Sequence, residues 1–171
     1  GALGSRGAAL LAPYSDDPEN RGLVLMERDA FAARLRRVVD AGFQAAVHAI
    51  GDRANRTALD AWRDLLSAQP SARDRLAADP APLTLLGSVP AARPVLRLEH
   101  AQILDPADIP RLGADGVLAS MQPTHCTSDM PWAPRRLGEH RLAGAYAWRS
   151  VIAGGAVLAS GSDFPVESHD P

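Results

Sequence analysis

The sequence predicts an α/β fold in which parallel strands bend into part of a (β/α)8 barrel. Three observations predict it. Short apolar runs near residues 43, 95, 117 and 156 alternate with stretches of helical period. Three runs end abruptly in polar, metal-competent side chains: Phe43 to His48, Val95 to His100, and Ala156 to Asp163. Such tips suit a barrel, whose chemistry sits at the C-terminal ends of its strands. A doubly wound open sheet shares the alternation, but no glycine-rich phosphate loop follows any strand. His100 and Asp163 lie two repeats apart, a unit length that suits a barrel of roughly 250 residues. Four strands make half of one.

Residues 1–26 are rich in turn formers, among them Ser15-Asp16-Asp17-Pro18 and Asn20-Arg21-Gly22. From Glu27 to Ala41 the period becomes helical, with Phe31, Leu35, Val38 and Val39 on one face and Gly42 as the stop. Phe43–His48 reads as a strand, and a helix over 53–68 carries Ala58, Leu59, Trp62, Leu65 and Leu66 on one face. A Pro/Ala/Arg-rich insertion spans 70–94, with room for a helical turn at 73–78. After the strand ending at His100, Asp105-Pro106-Ala107-Asp108 predicts a helix start. Val117–Met121 is the next strand, and a long polar loop carries His125, Cys126, Asp129 and Trp132. A helix over 139–153 leads to the last strand, tipped by Gly161-Ser162-Asp163.

At 171 residues the chain is one ordinary domain's worth of core. A net charge of −2 gives no electrostatic case for nucleic acid. All 18 basic side chains are arginine; there is no lysine. The single Cys126 excludes an internal disulfide framework. No apolar run of about 18 residues is present, so no membrane span is predicted. The chain opens on Gly1 and closes on Asp170-Pro171, which reads as a piece of a longer protein. Any targeting segment would then lie outside it; a cytoplasmic location is the default expectation.

Hydrolysis of an amide at neutral pH calls for a nucleophile stronger than water, which a divalent metal supplies. His48 and His100 are candidate ligands, and Asp163 is a candidate weak ligand or the acid–base group. Each alone reads more readily as a structural residue; three equivalent strand tips together carry the case. Asp52 reads as a cap for the helix after it, and Glu99 as a partner for an arginine. Gln122, His125 and Asp129 are candidate substrate contacts, with a solvated loop the even alternative for the last two. Cys126 beside His125 reads as a spectator, and Trp132, Tyr146 and Trp148 as packing.

H-A-I-G-D-R-A at 48–54, R-L-E-H-A-Q at 97–102, M-Q-P at 121–123 and G-S-D-F-P-V-E at 161–167 resemble the amidohydrolase superfamily. The specific resemblance is to its amidohydrolase 3 group, which includes YtcJ-like proteins and N-substituted formamide deformylase. The resemblance implies a metal-dependent barrel acting on carbon–nitrogen bonds, commonly amides, with one or two ions, zinc foremost. It implies that His48 is the strand-five ligand, His100 the strand-six ligand and Asp163 the strand-eight aspartate. The His-x-His pair of strand one and the strand-four lysine have no counterpart here, so the chain corresponds to the end of strand four through strand eight.

The expected function is therefore that of a metal-dependent amidohydrolase taking a small amide-type substrate, with this piece inactive alone. Open strand edges make self-association into a homo-oligomer expected. Two rivals stand beside it: a deaminase of the same superfamily, disfavoured by aspartate rather than glutamate after His48, and a non-catalytic barrel scaffold.

Overall fold

A computed structural model describes residues 1–69 and 96–169, so the 70–94 insertion and Val95 lie outside the described residues. Four parallel strands pair in chain order: β1 (Ala45–Ala49), β2 (Leu96–His100), β3 (Leu118–Met121) and β4 (Val157–Ser160). Each crossover thus moves one strand along in the same direction, which is a barrel arc; a doubly wound sheet reverses its order at a switch point. Val47 pairs with Leu98, Leu98 with Ala119, and Ala119 with Leu158, so the four C-terminal tips come out side by side.

Among the described residues the helices are α1 (Arg28–Asp40), α2 (Asp52–Ala68), α3 (Ile109–Ala114), α4 (Pro123–Asp129), α5 (Ala133–Leu137) and α6 (Trp148–Ala153), with a 3-10 helix at Glu139–Gly144. The predicted faces of α1 and α2 are the ones buried. Leu35 and Val39 join Leu59, Trp62 and Leu65 against Leu96 and Leu98 of the sheet, with Leu112 and Val151 completing the layer. Each such side chain withdrawn from water contributes about 1.5–3 kcal/mol. A second cluster lies over the strand tips: Leu3, Leu10 and Tyr14 of the opening segment pack on Ile50, Ile103 and Leu137.

The elements differ from expectation at four places. β1 starts at Ala45, not Phe43, because the Gly42 and Phe43 amides close α1 onto Val39 and Val38 in a Schellman arrangement. The Phe43 N–H is consumed there and its ring is exposed. At 105–108 the chain makes a turn, Asp105 accepting from the Ala107 amide at 2.9 Å, and α3 starts only at Ile109. The long loop is instead α4 and α5, each with proline in its first turn, where the missing N–H costs nothing. The helix over 139–153 is broken at 144–146, where the Leu104 amide donates to Gly144 and the Tyr146 amide to Gln102. Backbone bound to the exit of β2 cannot also make helix. A Cβ on Gly144 would sit 1.8 Å from the Leu104 carbonyl oxygen, so only glycine permits that approach.

Candidate metal centre

The tips of β1 and β2 are clamped by one buried side chain. Asn55 of α2 donates through its amide nitrogen to the carbonyls of Ala49, Gly51 and Ile103 at 3.0, 3.0 and 3.1 Å. The opening segment closes over the same place, with the Leu11 amide donating to Asp52 at 2.8 Å and Arg53 to the Ala9 carbonyl. Gly51 lies so close beneath Ala9 that a Cβ would meet its carbonyl oxygen at 2.0 Å. Asp52 therefore ties two segments together as the first residue of α2, and Gly51 stands at the N-cap position expected of Asp52. Glu99 pairs with Arg97, as expected.

His48 and His100 meet across these tips, ring centroids 4.7 Å apart and edge to face. Strand alternation alone would not bring them together. His48 pairs with Glu99, whereas His100 continues the buried series Leu96, Leu98 that faces the helices. His100 has φ of 76°, and a left-handed φ rotates Cβ about the N–Cα bond away from the face that alternation assigns. Ala101 at 43°, Tyr146 at 50° and Asp163 at 59° share this costly region around the same mouth. His100 Nδ1 lies 2.9 Å from Gln122 Oε1. Since that oxygen only accepts, the proton sits on Nδ1 and the Nε2 lone pair is left free.

Beyond His100 the site continues through His125, whose ring stacks on it at 5.8 Å. His125 is buried in α4, not carried on a solvated loop. Its Nε2 has no hydrogen-bond partner and lies 3.9 Å from Asp163 Oδ2 and 4.0 Å from Glu167 Oε1. Asp129 accepts from Gln102 at 2.7 Å and from the Tyr146 hydroxyl at 2.5 Å. Tyr146, expected only to pack, thus donates to a mouth carboxylate; Gln102 and Glu167 had no role assigned from sequence, although both lie inside the quoted motifs, which was the available signal. Burial drives the electrostatics. It lowers the His48 pKa, and it lowers that of His100 with help from His48; the Asp163 charge opposes both shifts. It raises Asp129, and it raises Tyr146 with help from Asp129, so the phenol stays a donor. It raises the Cys126 thiol too, which fits a spectator.

The whole chain, residues 1–171, matches the sequence profile described as the amidohydrolase family. The chain belongs to that family. It is 34% identical over its full length to YtcJ of Bacillus subtilis (strain 168), named only provisionally as an amidohydrolase, and covers 28% of that protein. It is 34% identical to Protein LONG AFTER FAR-RED 3 of Arabidopsis thaliana, of which it covers 26%. Among solved structures it is similar to uncharacterized metal-dependent hydrolases from Pyrococcus horikoshii OT3 and Pyrococcus furiosus. Each superposes on the whole chain with a TM-score of 0.78 at 30% identity, over 29% and 30% of its own length. The chain thus spans less than a third of the relatives it matches.

For an amidohydrolase-family chain the donor chemistry at this mouth fits a divalent metal. Two neutral imidazoles are presented, and one has its second nitrogen held by an amide oxygen, the usual outer-shell support of a metal-binding histidine. Among the described residues no three His, Cys, Asp or Glu side chains close into a ready ligand set. Nor is any helix among them long and apolar enough to cross a membrane.

Proposed function

We propose that the full-length protein containing this chain is a metal-dependent hydrolase that cleaves an amide-type carbon–nitrogen bond in a small molecule. The observation that carries this is the His48–His100 pair at adjacent strand tips, with Gln122 fixing the His100 tautomer. A bound divalent ion, zinc being the first choice for imidazole donors, lowers the pKa of water to about 7 and polarises a carbonyl. His48 and His100 would hold it, Asp163 would be a third, weaker ligand, and the remainder would come from outside this chain. Asp163, 40% exposed at its side chain, takes the proton lost by the attacking water and passes it to the departing nitrogen. Gln122 orients His100, while His125 and Asp129 line the substrate side of the mouth.

Asp52 speaks against the deaminase alternative, because its carboxylate is engaged by the Leu11 and Arg53 amides. The deciding experiment is elemental analysis of the full-length protein and its His48→Ala variant. Near-stoichiometric zinc, lost in the variant, is expected and leads to an amide-substrate screen. No metal in either protein would leave a non-catalytic scaffold.

A further inference from the structure

His125 Nε2 is a buried polar atom without a hydrogen bond, in a residue only 8% exposed. An orphan of this kind is costly unless something completes it. The two groups nearest its open direction are carboxylates, Asp163 at 3.9 Å and Glu167 at 4.0 Å. Both distances exceed a hydrogen bond, for which about 3.2 Å is the upper limit. Asp129 lies one turn beyond His125 on the same face of α4. Among the described residues no arginine pairs with Asp129, Asp163 or Glu167, although seven other acidic side chains do have such partners.

A heavy atom set to one side of the line between His125 Nε2 and either carboxylate oxygen would lie at ordinary hydrogen-bond distance from both. A metal is a poorer fit, since bonds of about 2.1 Å to both ends would force an angle of roughly 140°, far wider than tetrahedral. A group with several N–H donors and positive charge fits both the acceptors and the uncompensated negative charge.

We propose that His125 Nε2, Glu167 and Asp129 form a subsite for a primary amine or ammonium group, beside the His48–His100 pair and distinct from it. That this group belongs to the substrate, or is the amine released from it, rests on the hydrolase reading above. Binding of an amine as such does not.

The test is an NMR titration of the full-length protein with n-propylammonium, and with n-propanol as the neutral isostere, with metal content measured on the same samples. The amine should bind in preference to the alcohol. Glu167→Gln should weaken it roughly tenfold or more, as loss of a charge-assisted hydrogen bond predicts, without changing alcohol binding or metal content. Glu167→Asp, which keeps the charge on a shorter arm, should restore part of the affinity. Equal binding of amine and alcohol, amine binding indifferent to Glu167→Gln, or no binding of either, which leaves only water in the gap, would each overturn the subsite. Amine binding without metal would leave the subsite standing and sink the hydrolase reading; bound metal without amine binding would do the reverse.

Discussion

The acidic side chains along the seam between α2 and α3 and those at the strand mouth are handled in opposite ways. At the seam, Asp108 is 3% exposed and accepts from Arg56 and Arg111 at 2.8 Å each. Arg111 reaches on to Asp60, Arg56 to Asp105, and Arg63 to Asp115. Forked guanidinium groups thereby brace α2 against the turn before α3 and the turn after it. At the mouth, Asp129, Asp163 and Glu167 have neighbours that are imidazole, amide and phenol instead. In a chain whose only strong cations are arginines, where the arginines go separates the two regions. Paired carboxylates hold the frame, and unpaired ones are left with charge to offer a ligand.

The strongest way to break this comparison is His100→Ala in the full-length protein. Turnover should be lost and metal stoichiometry should fall while the fold survives, as read by circular dichroism; retained turnover would move the chemistry away from this mouth. Gln122→Leu removes the oxygen that holds His100 Nδ1, along with an amide nitrogen that donates weakly to the Ser120 carbonyl, and should weaken metal affinity by about 10- to 100-fold. A metal titration that cannot distinguish the variant from wild type would mean that Gln122 is a packing residue. Asp108→Ala tests the seam. It takes one of two carboxylates from each of Arg56 and Arg111, which keep Asp105 and Asp60. Because Arg56 is a third exposed, the cost should be about 2 kcal/mol, below that of a fully buried pair. Urea denaturation measures it, and kcat/KM of the folded variant should not move. A fall in kcat/KM at unchanged stability would erase the division into frame and mouth.

How much of this was legible in the sequence divides along similar lines. Hydrophobic period located all four strands and the buried faces of α1 and α2, because burial is what such periods record. Gly42 announced the end of α1, and Glu99 found its arginine two residues away. What was hidden depended on contacts remote in the chain. The break at 144–146 is imposed by backbone at 102–104, and the seam joins Arg56 to a carboxylate 52 positions on. The left-handed φ of His100 has no signature in residue type, so the strand pattern located the histidine and could not say which way it turned. Pro123 was a readable helix start that the polar composition of 123–140 obscured.

Asp52 belongs to neither group of carboxylates and gives the finest test. It is 5% exposed, and backbone amides rather than arginines complete it, from Leu11 at 2.8 Å and Arg53 at 2.9 Å. Burial raises its pKa above the ordinary 3.8, and the two amides only partly oppose that. A raised carboxylate binds its proton more tightly in the folded state than in the unfolded one. Its contribution to stability is then fully present below pH 3.8 and is lost as pH rises through the folded value. Asp52→Asn keeps an oxygen for both amides and does not titrate there. Wild type should therefore lose ground to the variant between acid and neutral pH, a small change readable by thermal unfolding of the two full-length proteins. A difference constant with pH, or one that favours wild type at neutrality, would mean that two amide donors stabilise a buried charge as well as an arginine does. The frame would then need no guanidinium to hold its acids, and the placement of arginine would no longer distinguish frame from mouth.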